Sequence, residues 1–170
     1  MANPRVVFET SAGAFEAEVL LEEMPLTAGN FLALVDDGFY DGQHFHRVVK
    51  DFMVLTGDPF SVDPTDERMG EGGPPWGSIP DEFPEDQRIS NLRGTLSMAN
   101  KNRPHSGGSQ FFVNLSDNAF LDWFDEGPSF HPVFGRVVSG MEVVDAIGGS
   151  AVDHASRPQP PVKLVSIRRA

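Results

Sequence analysis

The sequence contains no cysteine. Disulfides and thiolate metal sites are therefore excluded, and the chain fits a reducing compartment. Basic residues are scarce: 13 Lys and Arg stand against 25 Asp and Glu, a formal net charge of −12. Such a chain repels phosphate backbones and anionic lipid, which disfavours nucleic-acid and membrane-surface binding. No apolar run approaches the ~18 residues of a membrane span. Arg5, Glu9, Glu16 and Glu18 interrupt any apolar signal core near the start. These points together predict a cytoplasmic protein.

Several chemistries are also missing. No G-x-x-x-x-G-K-[ST] phosphate loop is present. Ser109 lies in Gly107-Gly108-Ser109-Gln110, which is not the G-x-S-x-G nucleophile elbow. Asp63, Asp66, Glu67 and Glu71 lack the spacing of a calcium loop and read as a solvated acidic stretch. His44 and His46, two residues apart, would share one face of a strand. They are half a metal site at most, with ordinary strand histidines as the competing reading. No metal and no cofactor is expected.

What remains is globular: 170 residues, 39% apolar and 22% charged, suit one domain over residues 1–170. Fourteen Phe against one Tyr and two Trp predict a core filled largely by Phe. Val6 and Phe8, then Phe15, Ala17, Val19 and Leu21, alternate with polar residues around a Ser11-Ala12-Gly13 turn, predicting a hairpin. Ala28, Phe31, Leu32 and Val35 form a helical stripe after start signals at Pro25 and Thr27. Residues 45–57 read as a strand pair broken at Lys50-Asp51. From Gly57 to Pro84 the chain is rich in Gly and Pro without periodicity, the mark of a functional or disordered loop. Short strands follow near Gly94–Met98, Gln110–Asn114 and Val133–Val138. Ser139 and Glu142 predict a capping box for a helix over Met141–Ile147, and Val162–Ile167 reads as the last strand. Many short strands with two helices predict a mainly antiparallel sheet or barrel.

Three stretches in order carry a further signal: Phe45-His46-Arg47-Val48-Val49 with Phe52-Met53 and Gly57-Asp58; Gly94-Thr95-Leu96-Ser97-Met98-Ala99-Asn100 with Gly108-Ser109-Gln110-Phe111-Phe112; and Phe120-Leu121-Asp122 with His131 and Val133-Phe134-Gly135-Arg136-Val137. Together they resemble the cyclophilin-type peptidyl-prolyl cis/trans isomerases. The likeness covers roughly Val6 to Ile167. It implies a mainly β fold, a closed eight-stranded antiparallel β-barrel capped by two α-helices, with the active site in a groove on its outer surface. It implies an enzyme that rotates X–Pro bonds and assists protein folding. By motif position the resemblance implies that Arg47 is the catalytic arginine, that Phe52, Met53, Phe112 and Leu121 wall the proline pocket, that Ala99, Asn100 and Gln110 contact substrate backbone, that His131 is the rim histidine, and that Phe120 is a further substrate-binding residue. Taken singly, these residues also read as core, solvated charge or turn; their joint pattern favours the site.

The sequence departs from the family at Leu55, where Gln is usual, and at Phe120, where many members carry Trp. Lys50-Asp51 and Thr56 replace the common Pro-Gly and Gly. Leu55 removes a group that would orient Arg47 and contact substrate. Phe120 lacks the indole N–H that would bond cyclosporin, so weakened affinity for that drug is expected. The expected partners are proline-containing peptides and unfolded or folded client proteins, and the expected state is a monomer. A non-catalytic module that binds proline-containing segments is the alternative function, with Leu55 its best argument. A protein that merely reuses the barrel is a third.

Overall fold

The computed structural model describes residues 2–170. Nine strands form one sheet: β1 (Arg5–Thr10), β2 (Gly13–Val19), β3 (Gln43–His44), β4 (Arg47–Val49), β5 (Met53–Thr56), β6 (Thr95–Met98), β7 (Phe111–Asn114), β8 (Val133–Ser139) and β9 (Lys163–Arg169). Their order is β3-β9-β1-β2-β8-β6-β7-β5-β4, and every pairing is antiparallel. Two helices, α1 (Pro25–Asp36) and α2 (Met141–Gly148), complete a mainly β fold. The strand count exceeds the expected eight because the segment from Gln43 to Val49 is broken at Phe45-His46. Phe45 N–H donates to Val162 on the β9 side, whereas His46 N–H donates to Leu55 on the β5 side. One short segment thus supplies both edges of the sheet.

Alternation divides the sheet into two faces. Val6 and Phe8 of β1 and Phe15, Ala17 and Val19 of β2 turn inward, and Phe8 stacks on its register partner Phe15 at 4.4 Å. The sequence pattern runs one residue too far, since β2 stops at Val19 and Leu20 is the buried residue beyond it. Phe31 of α1 sits centrally, 5.3 Å from Phe111 and 5.0 Å from Phe134. Phe8, Phe15, Phe31, Phe45, Phe111 and Phe134 are buried in this core, but Val and Leu side chains outnumber them, so Phe fills only part of it. On β7, Phe111 and Val113 join this core, while Phe112 points outward into a separate cluster with Met53 and Leu121. That outward cluster is where a site can form.

Helix ends differ from the sequence reading. Pro25 occupies the first turn of α1, but Thr27 lies buried inside it. The cap comes from far away: the Glu82 carboxylate accepts from Leu26 N–H at 2.9 Å and Thr27 N–H at 2.7 Å. Ser139 ends β8 instead of capping α2. Gly140, at φ 80°, takes the capping position without a side-chain bond. Any Cβ there would lie 2.7 Å from the Ala14 carbonyl oxygen, so the close approach to β2 requires glycine.

The long segment after β5 has little regular structure but many ties. The buried Asp58 carboxylate accepts from Phe60 N–H at 2.9 Å and from Gly70 N–H. Arg68 lies over the Phe60 ring at 4.0 Å, and Trp76 Nε1–H donates to Asn30 at 2.8 Å. This loop is pinned to the sheet and to α1.

Two glycines test this packing in opposite directions. Gly57 has φ 102°, and a Cβ there would meet the Ser109 carbonyl oxygen at 2.4 Å. Gly57→Ala should cost about 2 kcal/mol or more, a fall in Tm of about 5 °C. Gly29, inside α1, has open space around its Cβ position. Gly29→Ala should raise stability by up to about 1 kcal/mol. Thermal unfolding of both variants checks the pair.

Candidate active site

A cavity of about 400 Å³ opens on the outer face of the sheet. Its apolar floor is Phe52, Met53, Phe112 and Leu121. Three facts of sequence put those side chains together. Met53 and Leu55 alternate with core-facing Val54 on β5, Phe112 alternates with Phe111 and Val113 on β7, and a 3-10 turn over Ala119–Leu121 brings in Leu121. Ala99, Asn100, Gln110 and His131 form one wall. Arg47 and Leu55, direct register partners across β4 and β5, form the other. Paired residues share a face, so the guanidinium stem and the leucine are neighbours. Phe120 does not line the cavity: it is 55% exposed and stacks on Phe52 at 5.9 Å, supporting the floor from outside. A second hollow of about 260 Å³ adjoins the first and shares Gly70, Ala99, Asn100 and Gln110 with it.

Polar groups at the site fall into two kinds. Some are saturated by the protein. Gln110 Nε2 donates to the Gly70 and Gly72 carbonyls at 3.0 and 2.9 Å, which fixes its amide orientation. Its Oε1 must then accept from His46 Nε2–H at 3.1 Å, and the other ring nitrogen, Nδ1, is buried without a partner, which suits the neutral ring. Burial pulls the His46 pKa down, the charge of Asp58 and the Gln110 bond oppose the shift in part, and Arg157 adds to it. Burial likewise lowers the His131 pKa, and its Nδ1–H donates to Met98 O at 2.9 Å. Asn100 binds Phe130 O through its side-chain amide at 3.1 Å and accepts from Asn102 N–H at 3.0 Å.

Other groups are free. Among the described residues, neither the Asn100 peptide N–H nor its carbonyl bonds another protein group. Among the described residues the Arg47 guanidinium has no ion pair and no hydrogen bond, although the residue lines the cavity. A guanidinium and one open peptide group therefore line a cavity with an apolar floor, and the lining includes no Ser, Thr, Cys or Lys.

Beneath the floor lies a buried polar network. Asp122 accepts from Asn91 N–H at 2.7 Å, from Asn91 Nδ2 at 2.8 Å and from the Ser90 hydroxyl. Asn91 also donates to His131 O at 3.0 Å and accepts from Asn114 at 3.1 Å and from Ser97. Asn118 donates to Asn114 at 2.9 Å and to the Phe52 carbonyl at 3.0 Å.

Apart from Phe120, the structure gathers every sequence-derived candidate around this cavity. Sequence reading missed His46, Met69, Asn102 and Arg157 in the lining, and Asp58 behind it. Asp58 had a signal, since an Asp before Pro59 is the signature of a short helix start. Arg157 had none, because it reaches the site from a turn about a hundred residues further along the chain than Leu55. The two histidines diverge: β3 ends at His44, whose Nδ1 bonds Ser61 O at 2.7 Å, while His46 turns to Gln110. No cluster of three or more potential metal ligands forms among the described residues.

The cavity thus sets an apolar floor beside an arginine that has no protein partner among the described residues. Comparison with known proteins makes this specific. Residues 5–169 match the family described as cyclophilin type peptidyl-prolyl cis-trans isomerase/CLD. The chain is 39% identical over 167 residues to peptidyl-prolyl cis-trans isomerase-like 1 of Neurospora crassa, covering 96% of this chain and 92% of that one. It is 34% identical over 172 residues to a peptidyl-prolyl cis-trans isomerase of Acinetobacter baylyi, covering 99% and 86%. The crystal structure of a Cryptosporidium parvum cyclophilin type isomerase superposes with a TM-score of 0.85 at 27% identity, covering 98% of this chain and 97% of that one. The same protein has been solved in the presence of the dipeptide Ala-Pro, with a TM-score of 0.84 at 27% identity and 98% coverage of each chain. The chain belongs to the cyclophilin-type peptidyl-prolyl cis/trans isomerase family, and its activity is rotation of X–Pro peptide bonds.

Two measurements probe the site's scaffold. His46 and His131 both carry pKa values below the ordinary histidine value of about 6.5. Their contribution to stability is complete above that value. As pH falls through it, the unfolded chain takes up protons that the native state refuses, so stability drops. Tm should therefore decline between about pH 6.5 and 5, above the carboxylate range, while kcat/KM stays flat from about pH 7 to 9. Thermal scans and rate profiles on one preparation check both. Asp122→Ala should cost about 3 kcal/mol, because it leaves buried donors without a partner, and should lower kcat/KM by loosening Leu121. Calorimetry and an isomerase assay read the two effects.

Proposed function

We propose that Arg47 supplies the transition-state stabilisation and that Phe52, Met53, Phe112 and Leu121 hold the proline ring. One observation carries this reading: the uncommitted Arg47 guanidinium stands beside the one apolar floor of the cavity. Rotation about an X–Pro bond breaks amide resonance and faces a barrier of ~18–20 kcal/mol. In the twisted state the prolyl nitrogen regains its lone pair. A guanidinium N–H beside it then finds a better acceptor than the planar amide offered. An interaction stronger in the transition state than in the ground state is what accelerates the step. No bond forms or breaks, so the step calls for no nucleophile, metal or cofactor. The open Asn100 peptide group is suited to pair with substrate backbone, while Ala99 N–H is already held by Gln110 O at 3.0 Å. In this reading Gln110 positions His46 and the loop as much as it contacts substrate.

The physiological reading follows from the same groove. Its ligands are proline-containing segments of unfolded or folded client proteins, and assistance to folding is the role. The Ala-Pro dipeptide present with the Cryptosporidium parvum relative supports the ligand class. We read the sheet as a barrel closed through residues 43–49, since one segment bonds both edges. A monomer working in the cytoplasm suits the acidic chain. Cyclosporin should bind with weakened affinity, because Phe120 offers no N–H donor.

Arg47→Ala should lower kcat/KM about a hundredfold, equivalent to ~2.7 kcal/mol, and Arg47→Lys should recover little of it. A protease-coupled assay on an Ala-Pro peptide checks both. Activity near wild type would instead favour the non-catalytic module. Leu55, register partner of Arg47, supplies no hydrogen bond to steady it. Leu55→Gln should raise kcat/KM about three- to tenfold, one hydrogen bond being worth about 0.5–1.5 kcal/mol. A fall in both activity and Tm would show instead that Leu55 is needed for packing in the outer apolar cluster.

A further inference from the structure

The charge of the groove is opposite to that of the protein. The chain carries −12, yet the residues lining the larger cavity include two arginines, Arg47 and Arg157, and no Asp or Glu. Elsewhere most arginines are compensated, Arg103 being the exception among the described residues. Arg5, Arg68, Arg88, Arg93, Arg136, Arg168 and Arg169 each meet a carboxylate within 4.0 Å. Among the described residues, Arg157 has no such partner and no side-chain hydrogen bond, although it is half-buried. Its position is built. Ser156, at φ 62°, accepts from Val48 N–H at 2.8 Å, so the neighbours Arg157 and Arg47 are brought together across that backbone bond. Asp153 is the nearest carboxylate in sequence, but its Oδ1 accepts from Ala155 N–H at 2.9 Å and Arg157 N–H at 3.0 Å. It holds the turn and leaves the guanidinium unpaired. Arg157 also acts on the site electrically, since its charge helps to lower the His46 pKa.

We infer that Arg157 is a specificity-determining residue, and that the groove selects X–Pro segments carrying a carboxylate side chain next to the proline. Arg47 beside the ring and Arg157 at the rim form a cationic edge within an acidic surface. An acidic substrate is repelled by the net charge of the protein and attracted at this edge, which also directs it on approach. A glutamate flanking the proline reaches Arg157, and the planar fork can take both carboxylate oxygens. Such a partly exposed pair is worth about two- to fivefold in kcat/KM and weakens with salt.

This inference rests on the isomerase reading but is tested apart from it. Blocked peptides carrying Glu or Gln immediately before or immediately after proline are compared by exchange NMR for turnover and by NMR titration for binding. The expected result is a two- to fivefold preference for Glu over Gln at one flank at least. It should shrink in high salt, persist in Arg157→Lys and vanish in Arg157→Gln. Arg157→Glu should turn the preference toward a Lys peptide. Equal handling of Glu and Gln at both flanks, or a preference that survives Arg157→Gln, overturns the inference. Absence of turnover on every peptide counts against the isomerase reading alone, because the binding ratio still decides the acidic preference.

Discussion

The buried carboxylate of Asp122 is the constraint on which the site depends. A charge at 3% exposure is tolerable only where its oxygens are fully engaged, and here Ser90 and two donors of Asn91 engage them. Asn91 passes the constraint to His131, Ser97 and Asn114, and Asn118 passes it to Phe52. Four separate pieces of chain are thereby fixed relative to one another beneath an apolar floor that is itself small. Hydrophobic contact alone would leave Met53, Phe112 and Leu121 free to slide, since it has no direction. The polar network beneath gives them one arrangement.

Above that floor, function follows from which groups the fold leaves unmet. Gln110 and Asn100 have their side chains occupied by protein partners, and His46 is held by Gln110 through Nε2, so all three serve as wall. The Asn100 peptide group is held in place but not occupied, and among the described residues the two arginine side chains have no protein partner. A preorganised donor needs little rearrangement when charge or a lone pair develops opposite it. The same separation accounts for the local cationic edge in a chain of net charge −12, because acids cap helices and hold turns elsewhere and are absent from the cavity lining.

Much of this was legible in the residues. Period-2 alternation gave the β1–β2 hairpin, the i, i+3, i+4, i+7 stripe gave α1, and the Phe count pointed to part of the core. The motif resemblance marked ten residues that the fold brings around one cavity, from Arg47 through His131. What escaped reading was non-local. Glu82 capping α1 and Arg157 beside Arg47 each join segments remote in sequence. The strand count escaped because Phe45-His46 exchanges its hydrogen-bonding side between β9 and β5, an event that no periodicity encodes. The Ser139–Glu142 box failed because a close approach to Ala14 and Phe15 demanded Gly140 at the helix start. Phe120 matched the motif yet lies outside the lining, since its ring stacks on the far side of Phe52.

The central claim is that Arg47 acts on the twisted amide and contributes little to holding the planar one. Exchange NMR at saturating Ala-Pro peptide separates the two, giving the cis/trans rate on the enzyme and, by titration, Kd. The account predicts that Arg47→Ala slows the bound-state rate about a hundredfold while Kd changes less than about threefold. An unchanged bound-state rate with a Kd weakened in proportion to the lost kcat/KM would contradict it and make Arg47 a binding residue only.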